Sequence, residues 1–455
     1  MNKKSILLLV FLYAAGISAY SQHSLKVNLN GNEQANLLLY RIYGDKFQLL
    51  DTLERNKEGQ YSFLFPSNAS IGMYRLSFAP KAFADIIYNQ EDCWIRTELK
   101  SPMDSMYVIQ SVENQIYYDF LKQKRAYELK MELLKPLLAY YPEQNTFLAS
   151  VTEEFETVQL DYLVYVNDKL ERFPNTWASL YLAFFRNPLI PAGLSDSELS
   201  NFMQLHLFDF VNFDHTELLY SDAYPARLIE YLSLFSNMDL SREEMGEAFK
   251  QAIDRIMAKP IRDPIIRDFM IGYLMDGFQQ YGFDEVIVHM AYNYQQTQTC
   301  DNELLKSDLQ TRLENFQRLA IGMSAPDFTM SDSKNHSTSL SSIKTPRVIL
   351  FFWSSTCPHC RELYPYLVDM YENQKDKKVE VVAISIDDDL DAWKGFKDQF
   401  HAGWIDLCDG KSWESAVIKD YNIYATPSFF VIDQASGKIV GKPILQDELK
   451  AYFMP

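Results

Sequence analysis

Residues 347–365, RVILFFWSSTCPHCRELYP, decide the fold of the C-terminal part of this chain. The six residues from Val348 to Trp353 are all apolar, which is typical of a central strand buried on both faces of a sheet. A helical pattern follows from Cys357 to about Asn373. The stretch therefore predicts a buried strand that leads directly into a helix, with a cysteine at the junction.

Strand-like and helix-like segments continue to alternate after this stretch. The predicted elements are a strand at 379–386, a helix at 389–399, a strand at 428–432, its hairpin partner at 438–440 and a closing helix at 446–453. Such alternation predicts an α/β domain, which we place at residues 321–455.

The pair Cys357 and Cys360 has the spacing of a redox couple. A cysteine attacks a disulfide only as the thiolate, and the free N–H groups and dipole of a helix N-terminus stabilise that anion. Cys360 lies one helical turn later, close enough to resolve a mixed disulfide on Cys357. Pro358 suits the first helical turn, where its missing N–H costs nothing, and a protonated His359 would add a favourable charge. The motif predicts thiol–disulfide exchange.

Two other uses of this pair compete with redox exchange, a structural zinc site and a static disulfide. A structural zinc site needs a second half-site, and the histidine nearest to another cysteine is His401, seven residues before Cys408. A static disulfide fits a strand–helix junction less well than a reactive one does. We expect Cys93, Cys300 and Cys408 to be buried thiols, and a pairing of Cys93 with Cys300 stays open.

The front of the chain divides into two further regions. Short alternating runs separated by turn signals such as Asn30-Gly31 and Gly44-Asp45 predict a small β-sandwich at residues 22–111. From 112 to 320 the apolar residues recur at helical spacing, with prolines between the segments, so this region is predicted to be helical. The fold class is thus multidomain.

Residues 1–21 have the pattern of a secretory signal peptide. Lys3 and Lys4 precede an apolar run from Ile6 to Gly16, and the small residues Ala19 and Ser21 stand at positions −3 and −1 of a cleavage site. The run is shorter than the roughly 20 residues of a membrane span. We expect a mature chain that is soluble, without a membrane span, and periplasmic or otherwise exported at the cell envelope.

The net charge of −18 argues against nucleic acid and anionic membrane surfaces as partners, because both attract Lys/Arg patches. The expected partners are proteins with thiols or disulfides and an envelope electron donor or acceptor. The sequence leaves open whether the chain forms a homo-oligomer. Neither a cofactor nor a metal is required for the predicted chemistry.

The stretch 351–365 resembles the active-site strand and helix of the TlpA/ResA-like thiol–disulfide oxidoreductases of the thioredoxin superfamily. Residues 322–328, GMSAPDF, resemble the start of TlpA-like and AhpC/TSA peroxiredoxin-like domains, and 424–433, YATPSFFVID, resembles the cis-proline segment of the superfamily. The resemblance implies a thioredoxin-like fold over residues 321–455. It also implies that Pro427 is cis and faces the cysteines, and that Thr426 offers backbone groups to a bound substrate.

Three positions depart from the family pattern. Thr356 stands where a Trp often precedes the first cysteine, and Leu363 stands where ResA-like proteins carry a Glu that transfers protons, with Glu362 one residue earlier. Pro358-His359 is the dipeptide of DsbA-like oxidants, whereas TlpA/ResA-like proteins are usually reductants. The direction of catalysis therefore stays open.

Two other functions compete with this one. A peroxiredoxin-like peroxidase would need a Thr or Ser three residues before its reactive cysteine, and Ser354 stands there. An envelope binding or scaffold protein would use the front regions, with the thioredoxin-like domain secondary. Those front regions resemble uncharacterised β domains (DUF4369-like) and helical domains (DUF5106-like) of exported bacterial proteins, which name no activity.

Overall fold

A computed structural model of the chain describes residues 22–31, 36–142, 144–237, 239–294, 303–331, 337–374, 378–444 and 446–453. The predicted signal peptide and Cys300 lie outside the described residues. Two compact units make up the chain, Met1–Leu234 and Phe235–Pro455. Among the described residues, no helix combines the length and apolarity that crossing a membrane requires.

The first unit begins with a β-sandwich, as predicted. Its strands are β1 (Ser24–Asn30), β2 (Leu37–Tyr43), β3 (Lys46–Leu53), β4 (Gln60–Leu64), β5 (Gly72–Ala79), β6 (Ala82–Tyr88), β7 (Cys93–Glu98) and β8 (Tyr107–Gln110). They form two sheets, ordered β4-β1-β7-β8 and β3-β2-β5-β6. Because side chains alternate across a strand, β1 turns Leu25, Val27 and Leu29 into a core shared with the second sheet.

The middle of the chain is helical, which confirms the prediction from periodicity. Its helices are α1 (Val112–Tyr140), α2 (Thr146–Arg172), α3 (Trp177–Phe184), α4 (Asp196–His206), α5 (Ala223–Ser233), α6 (Arg242–Met257), α7 (Pro264–Gln280), α8 (Asp284–Tyr294) and α9 (Glu303–Arg318). The boundary between the compact units places α6 to α9 in the same unit as the C-terminal sheet. The domain borders drawn from the sequence stay a prediction.

The C-terminal part has the thioredoxin-like α/β fold. Its elements are β9 (Thr329–Ser331), β10 (Ser337–Ser339), β11 (Arg347–Trp353), α10 (Pro358–Glu372), β12 (Val379–Ser385), α11 (Leu390–Lys397), β13 (Ile405–Leu407), α12 (Ala416–Asp420), β14 (Ser428–Asp433), β15 (Lys438–Gly441) and α13 (Gln446–Ala451). The main sheet has the order β13-β12-β11-β14-β15, so the predicted central strand is indeed central.

Strand β11 is buried on both faces of this sheet. Val348, Leu350 and Phe352 enter one apolar cluster. Ile349, Phe351 and Trp353 enter the other. This double burial explains why the strand shows a continuous apolar run instead of alternation.

The strand directions bring three loops to one end of the sheet. The loop with Cys357 leaves the end of β11, and β14, which is antiparallel to β11, starts at the same end with Ser428 opposite Phe352. Strand β15 is antiparallel to β14, so the chain returns there after Gly441. The cysteine loop, the segment before β14 and residues 442–444 therefore lie together.

Candidate active site

Cys357 is the N-terminal cap of α10. Its backbone is extended, and its sulfur accepts a hydrogen bond from the Cys360 N–H at 3.4 Å, while Pro358 occupies the first helical position. The sequence predicted this placement. A free N–H group at a helix N-terminus is directed at the sulfur, which is the arrangement that stabilises a thiolate.

The Thr426–Pro427 segment lies against Cys357. Its peptide bond is cis, which confirms the expectation drawn from the family resemblance. The Cys357 thiol donates to the Thr426 carbonyl oxygen at 3.3 Å. The structure thus brings together the two motifs that lie 69 residues apart in the sequence.

The two thiols are free, and their exposure differs. Cys357 is partly exposed, and the neighbouring Pro358 and His359 are exposed as well. Cys360 is fully buried, in an apolar cluster with Trp353 and Tyr364. A partner molecule can therefore reach Cys357 directly, whereas Cys360 is accessible only to groups already held at this loop.

The pKa values of the two thiols shift in opposite directions. Partial burial alone would raise the pKa of Cys357, but hydrogen bonds from Cys360, from the Thr426 side chain and from the His359 N–H outweigh it, so this pKa is lowered. The Thr426 carbonyl acts the other way, since it accepts from the protonated thiol alone. Burial and the adjacent Cys357 sulfur raise the pKa of Cys360 to about 12.

A buried carboxylate supports the cysteine loop from behind, and the sequence analysis missed it. Asp387 accepts from the Ser354 hydroxyl at 2.8 Å, from the Ser355 N–H at 2.9 Å and from the Ser355 hydroxyl at 3.0 Å. It also accepts from the Ser385 hydroxyl at 2.6 Å. The Ser354 carbonyl in turn accepts the Cys357 N–H at 3.2 Å, so Asp387 fixes the turn that presents the sulfur.

The sequence carried only a weak signal for this residue. Asp387 is the first of three consecutive aspartates after β12, and its two successors are exposed. Since β12 is parallel to β11, both strands end at the same edge of the sheet. The sequence could therefore place an acidic residue at that edge of the sheet, but it could not show which of the three aspartates is buried behind the cysteine loop.

The structure also locates the residues that depart from the family pattern. Glu362 is exposed, and Leu363 is half-buried against the apolar cluster around Cys360. The single proton of the Ser354 hydroxyl is directed to Asp387, so it is not a donor to Cys357. This disfavours the peroxidase hypothesis, which requires that donor.

Other features lie apart from the cysteines. A shallow cavity of about 520 Å³ is lined by residues that include Pro346 and Glu380, at the opposite end of the sheet from Cys357. In the described ranges, no group of three or more His, Cys, Asp or Glu side chains is arranged to hold a metal ion.

Comparisons with known proteins agree with this geometry. The AhpC/TSA family model matches residues 321–441. ResA, a thiol–disulfide oxidoreductase of Bacillus cereus (strain ZK / E33L), is 30% identical over 140 residues, which cover 30% of this chain and 79% of that protein. ResA of Bacillus thuringiensis subsp. konkukian is 32% identical over 124 residues, or 27% and 69% of the two chains. The chain belongs to the ResA-like family of thiol–disulfide oxidoreductases.

Two solved structures similar to this ResA-like chain come from Bacteroides species. The thioredoxin domain of a thiol–disulfide oxidoreductase from Bacteroides vulgatus is 32% identical and covers 30% of this chain and 95% of that one, with a TM-score of 0.28. A thioredoxin-like protein from Bacteroides caccae is 21% identical and covers 59% and 98%, with a TM-score of 0.41. The family model covers only the C-terminal part, so the resemblances noted for the β-sandwich and the helices stay predictions.

Proposed function

We propose that Cys357 and Cys360 are the redox-active pair of this enzyme and exchange their dithiol or disulfide with cysteines of other exported proteins. The observation that carries this proposal is that the two thiols differ in exposure and in the direction of their pKa shifts. One is accessible, with a lowered pKa, and the other is buried, with a raised pKa. The accessible thiol is suited to attack a partner, and the buried one to act only after a mixed disulfide has formed.

The proposed reduction of a substrate has two steps. The Cys357 thiolate attacks one sulfur of a substrate disulfide, so a mixed disulfide forms and the other substrate sulfur leaves as a thiolate that takes up a proton. Cys360 then loses its proton and attacks the Cys357 sulfur. The Cys357–Cys360 disulfide forms, the second substrate sulfur leaves, and two electrons have passed to the substrate. Substrate oxidation is the reverse sequence.

We assign supporting roles to four neighbours of the pair. Pro358 and His359 are exposed beside the sulfur and would contact the substrate. Thr426 and Pro427 would hold the substrate backbone. The Thr426 carbonyl accepts a hydrogen bond from the Cys357 thiol in the reduced protein, and it becomes available to a substrate N–H once the thiol has lost its proton.

The proposed setting is the cell envelope. It is supported by the signal-peptide pattern of residues 1–21 and by the net charge of −18, which suits a soluble exported protein. The substrates would be exported proteins with thiols or disulfides, and an envelope electron donor or acceptor would restore the pair.

The proposal is tested by the reduction potential of the couple in glutathione or dithiothreitol buffers. A potential near about −270 mV would mark a reductant, and one near about −120 mV an oxidant. Cys360→Ser should trap a mixed disulfide with a substrate protein, Cys357→Ser should trap none, and Cys93→Ala should behave as the wild type does. A pair that never exchanges with the buffer would refute the proposed function.

A further inference from the structure

Three exposed apolar side chains surround the cysteine end of the C-terminal sheet. Tyr424 is 48% exposed, Ile444 53% and Tyr281 68%. Tyr424 lies three residues before Pro427, and Ile444 lies in the loop after β15. Tyr281 belongs to the turn between α7 and α8. We call these three residues the apolar rim.

The turn between α7 and α8 contacts both neighbouring loops. The Tyr424 hydroxyl donates to the Gln279 carbonyl oxygen at 3.2 Å. Gly282, whose φ is +70°, lies so close to Ile444 that a Cβ at this position would overlap the Ile444 Cδ1 atom. The positive φ favours glycine at this position, and a larger residue would have to displace the Ile444 side chain. The turn that carries Tyr281 therefore packs against the two loops that carry Tyr424 and Ile444.

Three charged groups near the rim are engaged with one another, with the backbone or with an aromatic ring. Lys442 and Asp284 form an ion pair at 2.7 Å, with side chains only 14% and 26% exposed. Arg242 donates to the carbonyl oxygens of Tyr281 and Gly282, and its guanidinium stacks on the Phe283 ring at 4.5 Å. The rim thus presents apolar and aromatic surface, which favours an apolar partner over a charged one.

We propose that the apolar rim binds an extended segment of the substrate protein that carries aromatic or aliphatic residues next to its reactive cysteine. This inference rests on the proposed function, because the rim continues the surface on which the substrate backbone would lie. A small thiol could reach Cys357 without touching the rim, whereas a polypeptide on the Thr426–Pro427 segment would extend across it. Incompletely folded proteins expose such apolar segments, and buried aromatic contacts contribute strongly to binding.

The test compares two peptide disulfides that differ only beside the cysteine, one with Phe and Leu and the other with two serines. We expect the reduced wild type to react about 5–10 times faster with the apolar peptide. The double variant Tyr281→Ser/Ile444→Ser should bring this ratio close to 1, and Tyr281→Phe should keep it. Tyr292→Ser, at a 62% exposed tyrosine on α8 outside the rim, is the matched control and should also keep it.

The outcomes separate this inference from the proposed function. A wild-type ratio of 1, or a double variant that keeps the wild-type ratio, would overturn the role of the rim. A double variant that keeps the ratio but converts a dimer into a monomer in light scattering would assign the rim to contact between two copies, which also overturns the inference. A wild type that exchanges with neither peptide would refute the proposed function itself.

Discussion

Cys93 of the β-sandwich and Cys357 of the thioredoxin-like region are both free thiols, but their surroundings and exposure differ. Cys93 starts β7 inside the sandwich core, where it is 2% exposed, and burial together with Glu91 and Asp92 raises its pKa. Cys357 caps a helix, is partly exposed and has a lowered pKa. The comparison teaches that the fold decides whether a cysteine is a packing residue or a nucleophile, because a helix N-terminus supplies the donors that a strand interior has already used.

The largest expected effect is on alkylation. At neutral pH, iodoacetamide should label Cys357 of the native reduced protein at least about 10³ times faster than Cys93, because the buried thiol reacts only after the sandwich opens. The rate at Cys357 should rise with pH to a midpoint below that of an unperturbed cysteine, since its pKa is lowered. Cys360 should stay unlabelled over this range. Peptide mass spectrometry between pH 5 and 9 measures all three rates.

Labelling of Cys93 as fast as Cys357 would break the comparison between the two regions. In the control variant Cys357→Ser, labelling of Cys93 and Cys408 should stay as slow as in the wild type, because both thiols are buried.

A smaller effect is expected from Asp387→Asn. The two oxygens of the Asp387 carboxylate accept from hydroxyl and N–H donors of Ser354, Ser355 and Ser385. An asparagine amide has only one acceptor oxygen, so some of these buried donors would lose their acceptor. We expect a loss of about 2 kcal/mol in the free energy of unfolding. We also expect the alkylation midpoint of Cys357 to move, because the turn before it loosens. Denaturant titration and the labelling profile measure the two effects.

The matched control for this variant is Asp388→Asn at the exposed neighbouring aspartate. It should leave both measurements within error of the wild type. Equal effects of the two substitutions would show that Asp387 has no special role in holding the loop.

The smallest expected effect concerns Asp406 on β13. Burial raises the pKa of this carboxyl from 3.8 to about 6. A raised pKa in the folded state means that the protonated carboxyl is favoured, so its contribution to stability is present below pH 4 and is lost as pH rises through about 6. The uncharged Asp406→Asn, which can still accept from the Trp404 indole N–H, should match the wild type at pH 4 and exceed it by about 1 kcal/mol at pH 7.5.

Denaturant midpoints at the two pH values check this sign. A stability difference that is the same at pH 4 and at pH 7.5 would contradict the assignment of the effect to ionisation of Asp406.

Much of the fold was predictable where the local pattern was strong. The run of apolar residues in β11 and the helix after it predicted both the central strand and the cysteine at its end. The alternating pattern that predicts the sandwich does not mark strands β3 and β6, for opposite reasons. Seven of the eight residues of β3 are exposed, so no alternation marks it. Strand β6 is buried along nearly its whole length and shows none either.

The sequence by itself determined the Cys357 and Cys360 pair and the helix N-terminus that holds it, because both depend on residues close together in the chain. Only the tertiary structure decided which distant groups complete the site. The Thr426 carbonyl at Cys357, the choice of Asp387 among three aspartates and the contact of Gly282 with Ile444 all depend on how strands and helices pack. Packing joins residues far apart in the chain, and no local pattern records which side chains will meet.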